Sequence, residues 1–237
     1  THHPERPQAG APRDPPRPGG ARPRIGDARS APGPWPNHLN TPAHLLLGAA
    51  AFGRPGSSKT LLAALFGALA PDLSLYLMAG TALFVLQIPP QRVFDELYFS
   101  DAWQTVFAID NSFIIWGVLF AVAVWHRAPW AIALTGAALL HLALDFPLHH
   151  DDGRPHFWPL TSWVFESPIS YWDRRHGATW VAPAEAAVAL SAATVLWWRG
   201  VPIRARMATL VLLGLEIWRS EERRGGKECR SRWSPSH

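Results

Sequence analysis

The chain reads as all-α, a polytopic membrane helical bundle of about five to six helices. Three observations carry that reading. Hydrophobic residues make up 48% of the 237 residues and charged residues only 17%, and the apolar ones concentrate between residues 40 and 218. Several runs there approach the roughly 20 apolar residues that a helix needs to cross a bilayer. Trp103, Trp125, Trp130, Trp180, Trp197 and Trp198 fall near the ends of those runs, where interfacial tryptophans sit.

The elements follow in order. Residues 1–39 carry ten prolines and almost no large aliphatics, so they are expected to be a disordered leader. An upstream translation ahead of a start near Asn40 is the favoured origin of that leader. Residues 40–218 form the membrane domain. Thr41 caps the first helix, with Pro42 at its first position. Residues 42–53 and 60–70 are each too short to cross alone, and Arg54-Pro55-Gly56-Ser57-Ser58-Lys59 between them is a turn. They are read as a half-span hairpin, with Pro71-Asp72 interrupting the second half before residues 73–88 continue it. Further spans are expected over 105–125, 129–148, 179–198 and 205–218.

Residues 219–237 are foreign in character and resemble a translated sequencing adapter, so the membrane part is expected to run on past residue 218. The single cysteine, Cys229, lies in that tail. No disulfide framework or cysteine zinc site is therefore possible within the chain.

Charge sets an orientation. Arg54, Lys59, His126, Arg127, Arg199, Arg204 and Arg206 fall on one side, which the positive-inside rule makes cytoplasmic. Loops 89–104 and 149–178 then face outward. The net charge of +4 comes largely from arginine in the two ends, and no basic, aromatic-interleaved motif is present, so nucleic acid is excluded as a partner. The partners expected are the lipid bilayer and a small-molecule or lipid substrate.

Ionisable residues inside spans are costly and mark function. They are His44, Asp72, Asp110, His141, Asp145 and Glu185. His141 and Asp145 are four apart and share a helix face, so they suit one metal ion, or a carboxylate that orients the imidazole. Beyond them come His149, His150, Asp151, Asp152 and His156, a density of imidazole and carboxylate that suits Zn, Mn or Fe. The competing readings of that stretch are a solvated polar loop and a pH-sensitive cluster. His44 is either a ligand or an interfacial histidine near a helix start. Asp110-Asn111-Ser112 offers either a ligand or a helix cap. Asp173-Arg174-Arg175-His176 suits phosphate or lipid headgroups, and Glu185 pairs with an arginine. No Gly-rich phosphate loop, G-x-S-x-G or H-E-x-x-H occurs.

Asn40-Thr41-Pro42-Ala43-His44, Ala70-Pro71-Asp72, Asp110-Asn111-Ser112, His141-Leu142-Ala143-Leu144-Asp145 and Trp158-Pro159-Leu160 occur in an order that resembles the bacterial inner-membrane metal-dependent hydrolases. That family is distantly akin to zinc-dependent phospholipase C and P1 nuclease. The resemblance covers roughly residues 40–200. It implies a metal site of His44, Asp72, His141 and Asp145. The chain departs from the family at Asn111, where the family has a histidine, unless Asp110, His149 or His150 replaces it. Some relatives carry cobalamin-biosynthesis labels, but no catalytic cysteine or nucleotide loop supports an amidotransferase of that pathway.

The function expected is hydrolysis of a phosphoester or lipid-like substrate at the inner membrane, near its extracytoplasmic face, with a divalent metal, zinc foremost. Asp72, Asp110, Asp145 and His149 are the candidate catalytic groups, and His44, Asp72, His141, Asp145, His149 and His150 the candidate ligands. The rivals are a transporter or permease component for a metal ion or cobalamin-related solute, and a membrane scaffold without a ligand.

Overall fold

The computed structural model of the chain describes residues 41–150, 153–171 and 173–225, with side chains through residue 218. The expected leader, Asn40, Asp151, Asp152 and most of the expected tail lie outside them. Among the described residues all regular structure is helical. Helix α1, Thr41–Phe52, turns through Gly56 (φ 80°) into α2, Ser58–Gly80, which the Ser57 hydroxyl caps. A π-turn, Thr81–Val85, extends α2. The short α3, Pro90–Arg92, and a second π-turn, Val93–Leu97, lead to α4, Asp101–Asp110. Next come α5, Phe113–Trp125, and α6, Pro129–Asp145, with proline at its first turn. A long loop and a 3-10 turn, Arg174–His176, precede α7, Ala178–Trp198, and α8, Ile203–Gly225.

Among the described residues three segments are long and apolar enough to cross a membrane: Ser58–Val85, Asp101–Trp125 and Ala178–Trp198. Thr41–Phe52 and Pro129–Asp145 are apolar but shorter. The count thus differs from the five to six spans expected. The expected span 129–148 is a 17-residue helix that stops at Asp145, and 205–218 lies inside the more charged α8, which is not among the three. The half-span hairpin also changes form, because α2 does not break at Pro71. Pro71 leaves the Gly67 carbonyl without its helical N–H, yet the helix runs on through it, and distant side chains bond to carbonyls close by. Here Asn111 Nδ2 donates to the Pro71 carbonyl at 3.3 Å, and His141 Nδ1 meets the Ala68 carbonyl at 2.7 Å. A short α1 therefore pairs with a full-length α2.

Asp110-Asn111-Ser112 resolves as a break between α4 and α5. The Ser112 hydroxyl caps α5 by accepting from Ile115 N at 3.1 Å, and it also donates to the Trp158 carbonyl. Asn111 closes α4 by donating to the Phe107 carbonyl at 2.9 Å.

Small residues hold α1, α2 and α6 together. Ala63, Ala64 and Ala68 of α2 pack on Ala133 and Ala137 of α6. A Cβ on Gly67 would lie 1.9 Å from the Leu134 carbonyl oxygen, and one on Gly48 would lie 2.7 Å from Ala68 Cβ. Such close backbone approach is the use of small residues where apolar helices meet. On its other side α1 packs Ala43, Leu46 and Ala50 against Ala189, Ala192 and Leu196 of α7. The outer surface is apolar, with Phe66, Leu77 and Phe84 exposed. Trp125, Trp180 and Trp198 stand out at helix ends, each more than 80% exposed. The cationic turns gather at one end, where Lys59 lies over the Trp130 ring and Arg199 donates to the Ala50 carbonyl. At the other end Arg154 of the long loop reaches Gln104 of α4.

Candidate metal centre

The α1–α2–α6 trio brings three ligand types to one point. His141 and Asp145 occupy successive turns of one face at the end of α6, and His44 lies one turn into α1. The Gly48 and Gly67 contacts let the three backbones come close enough for short side chains to meet. His44 Nε2 is 2.9 Å from Asp145 Oδ1, and His141 Nε2 is 3.1 Å from Asp145 Oδ2. The two imidazoles stack, with centroids 4.1 Å apart at 23°. The ligand atoms of His44, His141 and Asp145 all lie within 4.8 Å of one another. His44 is 6% exposed and His141 1%.

Hydrogen bonding sets the state of His141. A carbonyl oxygen only accepts, so Nδ1 carries the proton donated to Ala68 O, and in the neutral ring the lone pair falls on Nε2. That is how metal-binding histidines are oriented. Nε2 itself is buried without a hydrogen bond of good geometry, and so is His44 Nδ1. Buried polar atoms are normally satisfied. Two imidazoles and a carboxylate, with a further position for water, match the N/O donor set of a tetrahedral zinc site.

The other expected residues divide. Asp72 flanks the triad, with Oδ1 3.8 Å from His141 Nε2. His149 is the next turn beyond Asp145, its Nε2 3.6 Å from Asp145 Oδ2 and its ring edge-on to Tyr171. Asp110 lies beside Ser74 of α2, and its carbonyl accepts from Trp116 Nε1 at 2.7 Å. It is not among the convergent ligand atoms. Asn111, where a family histidine was expected, serves the α4 terminus instead. His150 turns away from the triad: its Nδ1 meets the Ser167 carbonyl at 2.6 Å and its ring stacks on His176. Adjacent in sequence, His149 and His150 thus serve different places. His176 in turn bonds Asp173, whose carboxyl burial would push up. Hydrogen bonds from the Arg175 backbone, His176 and the Arg175 side chain instead hold it at about 2. Sequence reasoning passed over Tyr76, one turn after Asp72, whose hydroxyl contacts that of Thr41, one turn before His44. The spacing of four from Asp72 was the available signal.

The long loop closes over this end. Phe113 N donates to the His156 carbonyl at 2.8 Å, and His156 is buried between Phe113 and Phe146. Burial pushes the His156 imidazole down to about 4, against the raising effect of its bond to the Arg154 carbonyl. The folded form therefore favours neutral His156. Its contribution is complete above the ordinary value near 6.5 and declines as pH falls from there to about 4, by about 3 kcal/mol at most. In chelator, the wild-type melting temperature should fall across that window, and His156→Asn should flatten the slope. Equal slopes in the two proteins would contradict this.

No family model, no curated protein and no solved structure matches the chain.

Proposed function

We propose that the chain is a polytopic protein of the bacterial inner membrane that binds a divalent metal ion, zinc foremost, and hydrolyses a phosphoester or lipid-like substrate near the extracytoplasmic face. The observation that carries this is the buried convergence of His44, His141 and Asp145, with the His141 tautomer set by the Ala68 carbonyl. Three long apolar helices support the membrane setting, and the cationic turns at the opposite end support the orientation. The resemblance to the inner-membrane metal-dependent hydrolases points the same way.

When bound, a divalent ion supplies Lewis acidity toward a phosphoryl oxygen and toward water. His44 and His141 would hold it through nitrogen, and the Asp145 carboxylate, which contacts both rings, would complete the set. Asp72 is close to the triad without belonging to it, so its carboxylate takes the proton from the attacking water. His149, on the outer side of Asp145, gives a proton to the leaving oxygen.

The test uses the full chain in detergent, loaded with zinc, against a chromogenic phosphodiester and a phospholipid. Hydrolysis should fall by about 100-fold or more in Asp72→Asn with metal content retained, the scale of a lost general base. A turnover equal in wild type and Asp72→Asn, or none with any phosphoester, would overturn the hydrolase reading. Metal uptake into sealed vesicles would replace it with transport.

A further inference from the structure

The long loop is fastened to the bundle at a depth no surface loop needs. α5 and α6 leave the turn at 126–128 together, with Trp125 and Trp130 exposed on its two sides. That turn belongs to the cationic end, where Lys59 lies over the Trp130 ring. From Trp125 along α5 to Phe113 the rise is about 18 Å, at about 1.5 Å per residue. By the same rule the exposed Trp180 and Trp198 of α7 are about 27 Å apart, close to the roughly 30 Å of a hydrocarbon core. Phe113 therefore lies about 10 Å short of the far boundary, and any tilt of α5 lowers it further.

The loop joins the bundle at that level. Phe113 N donates to the His156 carbonyl at 2.8 Å, and Ser112 Oγ to the Trp158 carbonyl. The Phe157 ring packs on Phe113 with centroids 6.0 Å apart, and Trp163 stacks on Phe157 at 6.1 Å. α5 is an edge helix that packs chiefly on α6, with Val118, Leu119 and Val122 exposed. The line of rings thus leads away from an exposed apolar helix.

The composition of the segment suits that depth. Residues 157–169 carry one charge, Glu166. Leu160 is 75% exposed and Trp163 53%, with Val164 and Ile169 exposed near them. Exposed apolar strips of this kind mark contact with a membrane or a partner. Irregular backbone at membrane depth must have its polar groups satisfied. Here Trp158 N bonds the Pro155 carbonyl and Leu160 N the Phe157 carbonyl, each at 2.9 Å, and Trp163 N bonds the Thr161 hydroxyl at 3.1 Å. Arg154, just before the segment, extends to Gln104 of α4, farther from the cationic end than Phe113.

We propose that the segment from His156 to Ile169 is a re-entrant element. It seats in the leaflet opposite the cationic turns, with Leu160, Trp163, Val164 and Ile169 against acyl chains. It rests on the membrane setting proposed above and does not need the hydrolase chemistry.

The experiment attaches a nitroxide to one cysteine at a time in the full chain, reconstituted in vesicles of phosphatidylcholine and phosphatidylglycerol. Cys229 is the single cysteine, so Cys229→Ser is the background. Leu160→Cys and Trp163→Cys are the test positions. Val122→Cys on α5 is the lipid reference, and Arg175→Cys, at a side chain 86% exposed, is the aqueous one. Collisions with oxygen, which dissolves among acyl chains, are compared with collisions with a water-soluble nickel chelate. The oxygen-to-nickel ratio at 160 and 163 should approach that at 122 and exceed that at 175. A ratio at 160 and 163 as low as at 175, with 122 still high, would overturn the inference and leave the membrane setting intact. A low ratio at 122 as well would remove both. Shielding of 160 and 163 from both reagents, with spin–spin broadening, would assign the strip to a second copy of the chain and overturn the lipid seat. Should a labelled variant not fold, a lipid-soluble aryl diazirine photolysed with wild type decides. It should mark the peptide that carries Leu160 and Trp163, and labelling confined to the long helices would refute the seat.

Discussion

Asp145→Ala should empty the triad of metal and loosen the three helices at once. One carboxylate faces three imidazoles: His44 at 2.9 Å, His141 at 3.1 Å and His149 at 3.6 Å. Removing one partner of a buried pair leaves the others uncompensated and costs about 3–5 kcal/mol. In a domain of this size that is a drop of roughly 10 °C in melting temperature. Zinc bound at the triad should fall from about one per chain to a small fraction, since a lost ligand leaves only two protein donors. His141→Ala should lose the metal as well. Asp110→Ala should keep it, because Asp110 lies beside Ser74 outside the ligand group. Elemental analysis and thermal melts of the three variants check both effects together. Wild-type zinc content in Asp145→Ala would remove the triad from consideration.

Gly67→Val should break the fold without touching any ligand. The first carbon of any side chain at position 67 would be placed 1.9 Å from the Leu134 carbonyl oxygen and 2.9 Å from Leu134 Cα. These are backbone atoms, so no rotamer change relieves the clash. The helices must separate, and overpacking of this kind costs about 1–3 kcal/mol or more. Separation also parts Asp72 from His141, so the variant should lose ordered melting and metal binding. Gly117→Ala in α5 is the control, since nothing lies within 4 Å of its added carbon. It should be neutral or stabilising by about 0.5–1 kcal/mol, as alanine is favoured over glycine in a helix. A Gly67→Val protein that melts like wild type would contradict the packing.

Local spacing made part of this legible. His141 and Asp145 are one turn apart in a run that can only be a helix, so their shared face follows from helix geometry. The turn at 54–59 was announced by Arg-Pro-Gly-Ser, and the roles of Asn111 and Ser112 were one of two readings of their polar triplet. The misreadings came from partners distant in sequence. Pro71 looks like a helix end because the chain alone does not reveal the bonds from Asn111 and His141, 40 and 73 residues away, to carbonyls beside it. His150 looks like a companion of His149 because composition carries no direction; the Ser167 and His176 contacts turn it the other way. The number of long apolar helices differs from the expectation because the run 129–148 ends as a helix at Asp145 and 205–218 belongs to a more charged helix, and an apolar run does not reveal where its helix stops.

The attachment of the long loop bears on exchange rates. Ser112 Oγ, Phe113 N, Gln104 and Tyr98 all hold the segment from Arg154 to Trp158, while Leu148 and His149 are tied back to Tyr171 and Ser167. To swing outward the loop must uncap α5, strip Arg154 from α4 and break its own internal bonds in one event. Through these described residues it is fastened like a bolted plate. An ion beneath it should leave slowly even where its equilibrium affinity is ordinary. Residence time at the triad would then be governed by the opening of the loop, and a chelator would remove metal at a rate independent of its own concentration.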